Sequence, residues 1–248
     1  MRRRFMILVF LALVAAGTVA AQHQEIVCVS TIYEPFIVQE GATLRGIDFD
    51  VVAEICRRLD IKVTFKLLPW TRLEQYMRQG DEQCVVAYFE TPERLEFMDF
   101  MNVPIHITAY TVFVQAGFAR TFYRIEDLEG MIIGVNRGFK TTPEFDAMVK
   151  SGRLRVEEVT EDAQSFQKLA LGRIDGVLTN YHVGMYTIKK LGLEGVIKPL
   201  FPPLSSTSCY LTFSKKSGLA YLIPAFDAAL FEIMIDGTYQ RIFNRYVK

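Results

Sequence analysis

The chain has 248 residues, half of them apolar, with 28 basic and 28 acidic side chains. Arg2, Arg3 and Arg4 stand at the very start with no acid near them, so the remainder is net acidic, which speaks against nucleic acid as a partner. That much apolar material is enough to fill one domain or two modest lobes.

Residues 1–21 read as an export signal: the arginines, an apolar run from Phe5 to Ala16, and the small residues Val19-Ala20-Ala21 before Gln22. The run is shorter than the ~20 residues of a spanning helix, and no later stretch is apolar and long enough. A cleaved, periplasmic protein is the expectation, with an uncleaved N-terminal anchor as the alternative. Cys28 lies inside a strand-like run and not directly after the small residues, which argues against lipid attachment there. Cys28, Cys56, Cys84 and Cys209 could pair in such a compartment or stay buried as thiols. A Cys28 to Cys84 bridge requires their strands to be neighbours.

Glu25 to Ser30 reads as a buried strand and Thr31 to Phe36 as a loop fixed by Pro35. Gly46-Ile47-Asp48-Phe49-Asp50 opens a helix with Asp48 as its cap, because Phe49, Val52, Ile55, Cys56 and Leu59 recur at helical spacing. Ile61 to Leu67 alternates like a strand, Trp70 to Gln79 is a helix ended by Gly80, and Gln83 to Phe89 is an apolar strand. Thr91 then caps a helix with Pro92 at its first position, which sets Arg94 in the first turn. A cation there opposes the helix dipole, and a nearby anion would offset it; an ion pair with Glu90, Glu96 or Asp99 is the plainer alternative.

Ile107 to Val114 is a strand, and the polar connector Phe118 to Glu129 leads to a fresh alternation. Its strands are Met131 to Val135, Leu154 to Val159 and Ile174 to Leu178. Its helices are Thr142 to Lys150, a second capped by Asp162 and stopped at Gly172, and Tyr181 to Leu191. Val196 to Leu200 is extended. Pro202, Pro203 and the serines from Ser205 to Ser208 read as a break before a strand, Cys209 to Ser214. A helix with Leu222, Phe226, Ala229, Leu230 and Ile233 on one face and a short last helix, Thr238 to Tyr246, close the chain. Such alternation indicates an α/β protein with mostly parallel sheets flanked by helices. One strand enters the middle set and another leaves it, so two strands cross between a first lobe (residues 22–112 plus 208–248) and a second (residues 113–207). Two crossings make a hinge, and a hinge makes a cleft.

His23, His106 and His182 have no partners at metal-ligand spacing, and the sequence holds no phosphate loop, nucleophile elbow or dinucleotide fingerprint. No cofactor, metal or catalysis is expected. Open α/β sheets bind ligands beyond the carboxyl ends of their strands. Those loops carry Ser30, Tyr33, Phe36, Trp70, Tyr88, Phe89 and Arg94 in the first lobe. In the second they carry Asn136, Arg137, Gly138, Phe139, Lys140, Thr141, Thr179, Asn180 and Tyr181. Arg137, before Gly138 at a helix start, is the second lobe's counterpart to Arg94.

The order of motifs resembles the periplasmic solute-binding proteins of the polar amino-acid type, the receptors of ABC importers, over essentially the whole mature chain. The resemblance rests on Tyr33-Glu34-Pro35-Phe36, Gly46-Ile47-Asp48-Phe49-Asp50, Thr91-Pro92-Glu93-Arg94 with Met98-Asp99-Phe100, and Asp127-Leu128-Glu129-Gly130 with Ile133-Gly134-Val135. It continues through Gly172-Arg173-Ile174-Asp175 and Asp236-Gly237-Thr238-Tyr239. It implies a two-lobed, type II periplasmic-binding-protein fold, a monomer that closes on a small solute and hands it to a membrane permease. It further implies that Arg94 holds a ligand carboxylate, whose two oxygens suit a planar guanidinium, and that Tyr33 and Trp70 flank the ligand. Ala87 and Phe89 depart from the small and hydroxyl residues usual at those places in the family, and Asn180 stands where an ammonium-binding aspartate is usual. Asp175 belongs to a shared structural motif and does not replace it. With Arg94, Arg137 and Lys140 near the cleft and no acid, the expected solute is an anion or an uncharged aromatic compound. A sensor for a signalling partner is the alternative, followed by a dehydratase-like enzyme using Glu34 or Glu90 as general acid.

Overall fold

The computed structural model describes residues 24–137 and 141–247. The leader expected at residues 1–21, and Gly138, Phe139 and Lys140, lie outside the described residues.

The first part of the chain runs β1 (Glu25–Ser30), a small hairpin of β2 (Val38–Glu40) and β3 (Thr43–Arg45), α1 (Ile47–Arg58), β4 (Lys62–Leu67), α2 (Trp70–Gln79), β5 (Cys84–Phe89), α3 (Pro92–Leu95) and β6 (Met98–Phe100). The long strand β7 (His106–Gln115) leads into β8 (Ile132–Asn136), α4 (Pro143–Lys150), β9 (Arg155–Val159), α5 (Asp162–Ala170), β10 (Gly176–Asn180), α6 (Tyr181–Lys190) and β11 (Ile197–Pro199). A second long strand, β12 (Ser205–Ser214), returns to the first part, where α7 (Ile223–Ile235) and α8 (Thr238–Val247) complete it.

Each lobe is built on three parallel strands. β1 lies between β4 and β5 in one, and β8 between β10 and β9 in the other. β7 and β12 run antiparallel side by side between these sets, pairing with each other from His106 to Tyr110 and from Ser205 to Cys209. Beyond that stretch β12 continues along β5 and β7 along β10. The strand order β4-β1-β5-β12-β7-β10-β8-β9 therefore has the two crossing strands at its centre. Helices α1, α7 and α8 bury Phe49, Val52, Ile55, Phe226, Leu230 and Ile242 against the first sheet, while Phe113, Phe145, Phe166 and Leu178 centre the cores of the second.

Cys28 and Cys84 are opposite one another on β1 and β5, with Cα atoms 4.7 Å apart, and form a disulfide. Cys56 and Cys209 are buried free thiols.

Three local expectations are corrected. Ser205 to Ser208 are strand, not a break: their backbone pairs with β7, and ladder bonding does not depend on side chains. Asp48 does not cap α1; Gly46 stands at the cap with φ of 130°, a conformation that favours glycine, and a Cβ there would collide with the Phe36 carbonyl oxygen. Asp162 is the first residue of α5, whose cap position is Glu161. The hairpin β2–β3 and strand β6 went unread because three residues are too few to show a period.

Candidate functional site

The site grows from the end of β5. Tyr210 of β12 pairs with Tyr88 while Thr212 pairs with Val85, so β5 carries one extra residue and bulges. Ala87 sits in the bulge at φ of 65°, a left-handed conformation that costs an L-residue roughly 1–2 kcal/mol. Tyr88 is buried in the first lobe, and Phe89, next along, faces a cavity. The Thr91 hydroxyl then accepts from the Arg94 backbone N–H at 3.3 Å, with Pro92 at the first helical position, as the sequence indicates.

Arg94 is drawn inward, its side chain only 11% exposed. Nη1 donates to the Phe89 carbonyl at 2.9 Å, and the guanidinium lies 3.9 Å from the centre of the Tyr88 ring and 5.4 Å from that of Trp70. These faces hold the planar cation in one orientation. The acid it meets is Glu74 of α2, at 4.0 Å from Nε; Glu96, one of the partners considered from sequence, lies instead 3.8 Å from Arg78. Burial pushes the Tyr88 hydroxyl up to about 12 in spite of the neighbouring Arg94 charge, so it stays neutral.

Beside Arg94 lies a cavity of about 540 Å³. Trp70, Glu74, Phe89, Thr91 and Arg94 form its first-lobe wall, Tyr110, Ser205, Ser206 and Thr207 its floor on the crossing strands, and Thr141 and Thr142 its second-lobe wall. Thr142 caps α4, accepting from the Phe145 N–H at 3.3 Å, so the positive end of that helix faces the same space as Arg94. Glu74, Tyr110 and the floor hydroxyls were missed in the sequence. Their signal was there, since alternate residues of a crossing strand must face the cleft, but serines have too little strand preference to reveal the strand.

The other singled-out residues fall differently. The Tyr33 hydroxyl hydrogen-bonds with that of Tyr110, and burial raises both far from ionisation, Tyr110 to about 12. Arg137 is 70% exposed and turned to Glu158, 3.6 Å from its Nε, so the two arginines do not form the facing pair expected. The reason is position: the Arg137 N–H donates to the Val159 carbonyl at 2.8 Å at the very end of the β8–β9 pairing, and its side chain leaves the sheet toward solvent beside Glu158. Asn180 is fully buried, and its Oδ1 accepts from the N–H groups of His182 at 2.7 Å and Val183 at 3.1 Å, capping α6. Gly138 is outside the described residues. Glu34, one of the two candidate general acids, is tied to Lys190 of the other lobe at 2.8 Å.

The count of charges also changes. Beyond Glu74, Asp162 stands at the carboxyl ends of the second lobe's strands, hydrogen-bonded by Thr179 and Asn136. Burial, only partly offset by those bonds, raises its carboxyl to about 6. The cleft is not the acid-free space inferred from sequence. Among the described residues no group of three His, Cys, Asp or Glu side chains could hold a metal ion.

Two α/β lobes joined by adjacent antiparallel strands, with a cavity on the crossing, define a type II periplasmic-binding-protein fold. The chain belongs to family 3 of the bacterial extracellular solute-binding proteins, whose sequence profile matches residues 26–248. It is 26% identical to the L-cystine-binding protein TcyA of Bacillus subtilis (strain 168), over 86% of this chain and 77% of that one. It is also 26% identical to ABC transporter arginine-binding protein 1 of Escherichia coli (strain K12), over 96% and 98%. Among solved structures it resembles an ancestral cationic amino acid solute-binding protein, with a TM-score of 0.74 and 23% identity over 91% of this chain and 96% of that one. The open second substrate-binding domain of Lactococcus lactis GlnP matches with a TM-score of 0.72 and 19% identity over the same shares, 91% and 96%.

Proposed function

We propose that this protein is an exported receptor that closes on an amino acid in the cavity beside Arg94 and delivers it to the membrane permease of an ABC importer. The observation that carries this is the inward-held guanidinium of Arg94 at the wall of a solute-sized cavity. A guanidinium locked over two aromatic faces offers a fork to a carboxylate, and the start of α4 adds to the positive field on the opposite wall. The names of the cystine- and arginine-binding relatives support an amino acid over a simple anion.

In this reading the lobes are residues 22–112 with 208–248 and residues 113–207, the crossing strands β7 and β12 are the hinge, and residues 1–21 are removed on export. Closure brings the Thr141–Thr142 wall toward Arg94 and excludes water, driven by contacts the solute makes with both lobes. Nothing in the transfer requires chemistry on the solute, so the receptor is not an enzyme.

The test is a thermal-shift screen of the standard amino acids, cystine and simple carboxylates, followed by calorimetry of the hits with Arg94→Ala. A bound solute raises the melting temperature by mass action. Arg94→Ala is expected to abolish the shift while keeping the fold. Unchanged affinity in that variant, or no response to any amino acid, would overturn the proposal.

A further inference from the structure

Among the described residues lining the cavity, Glu74 is the one charged side chain besides Arg94. It stands one helical turn after Trp70, so both project from the same face of α2 into that space. A glutamate four residues before an arginine on a helix has an ordinary use, an ion pair, here with Arg78. That pair is loose. The Glu74 Oε1 lies 3.7 Å from Nη2 of Arg78 and 4.0 Å from Nε of Arg94, both beyond hydrogen-bond length. Arg78 is itself divided between Glu74 and Glu96, 3.8 Å away, and its guanidinium rests 4.1 Å from the centre of the Phe97 ring. The Glu74 carboxylate thus reaches the cavity with accepting capacity unspent on these neighbours.

A bound solute changes the balance of charge. Once a solute carboxylate takes up the charge of Arg94, Glu74 becomes a second carboxylate around one guanidinium, and like charges so placed repel. Arg78, 44% exposed and shared, offsets little of that repulsion. A positive charge carried by the solute removes it and gives Glu74 the close donor that it lacks. The two anchors are spaced for this: Glu74 approaches the Nε side of Arg94, leaving the Nη groups toward the far end of the guanidinium. A cavity of about 540 Å³ holds the alkyl chain between them, with Trp70 and Phe89 as apolar walls.

We propose that Glu74 determines specificity, selecting amino acids whose side chain ends in a cation. Arg94 takes the carboxylate common to all amino acids, and Glu74, from the adjacent helix of the same lobe, reads the charge at the other end. This rests on the amino-acid receptor reading above and names its solute class.

The test is calorimetry at pH 7.5 with two pairs of solutes, in wild type and in Glu74→Gln. L-Arginine is paired with L-citrulline, which puts an uncharged urea group in place of the guanidinium, and L-lysine with L-norleucine, which lacks the ammonium. Wild type is expected to favour the cationic member of at least one pair by about tenfold or more, the measure of one charged hydrogen bond. Glu74→Gln, nearly the same in shape, is expected to lose that preference while binding the neutral member within about threefold of wild type. Equal weakening of both members, the mark of a residue that only holds Arg94 in place, overturns the proposal, and so does a preference that survives in Glu74→Gln. Wild type with no preference, or wild type that responds to other amino acids and to none of these four, overturns the role of Glu74 and leaves the receptor reading standing. No response to any amino acid overturns both.

Discussion

Asp48 and His106 are joined at 2.8 Å between Oδ1 and Nδ1, in a part of the first lobe closed to solvent. The other ring nitrogen lies 3.0 Å from the Thr108 hydroxyl, which is 3.2 Å from the Cys209 thiol, and Phe36 stacks on the ring at 4.1 Å. His106 begins β7 and Cys209 faces it on β12, so this pair fastens the crossing strands to the start of α1. Burial works against the charged ring, but the Asp48 charge and hydrogen bond outweigh it and push His106 up to about 10. A histidine with a folded pKa above its unfolded value of 6.5 contributes stability that is complete below that value and is lost as pH rises toward 10. Urea midpoints are therefore expected to fall between pH 6.5 and 10. His106→Ala is expected to lose that slope and roughly 3–5 kcal/mol at pH 7, because it strands the Asp48 charge. A flat wild-type profile over that range would refute the ionic pair.

Trp70 is 42% exposed at the rim of the cavity, against the Arg94 cation and the Tyr88 ring. Trp70→Ala is expected to weaken solute binding while costing far less than the ~3 kcal/mol or more of a buried tryptophan. Parallel calorimetry and thermal melts separate the two effects; a large drop in melting temperature with unchanged affinity would make Trp70 a packing residue.

The amide of Asn180 serves the fold through the cap on α6. Asn180→Ala is expected to cost about 1 kcal/mol in urea unfolding, whereas Asn180→Asp, which keeps an oxygen for the cap, should cost less. Equal losses in the two variants would show that the cap is not what Asn180 supplies.

The Cys28–Cys84 bridge closes a loop with a sequence separation of 56 between two core strands. Its reduction is expected to lower the unfolding free energy by roughly 3–4 kcal/mol, as loop-closure entropy returns to the unfolded chain. Midpoints with and without a reductant check this, and a Cys28→Ala, Cys84→Ala variant should reproduce the reduced protein. Identical midpoints would mean that the unfolded chain is not constrained by the bridge.

Much of the architecture was legible because it is written in period and punctuation. Helical spacing marked α1, apolar runs marked β1, β5 and β7, and Thr91-Pro92 marked the start of α3. Two strands leading between two βα sets already imply a hinge. Arg94 was legible for the same reason, because a strand end and a helix cap fix where its backbone lies. What those cues do not carry is direction and company. Arg94 and Arg137 look alike as cations after strands, yet one is turned over aromatic rings and the other toward solvent beside Glu158.

The sequence by itself determined which elements form, how the lobes are threaded and that an arginine opens the helix after β5, since these depend on local preference and hydrophobic spacing. Only the tertiary structure decided which polar groups meet: Glu74 beside Arg94, Arg137 turned away to Glu158, and the serines of β12 in the floor of the cavity. Residues far apart in the chain become neighbours through sheet order and the bulge at Ala87, and electrostatic partnership follows distance in space.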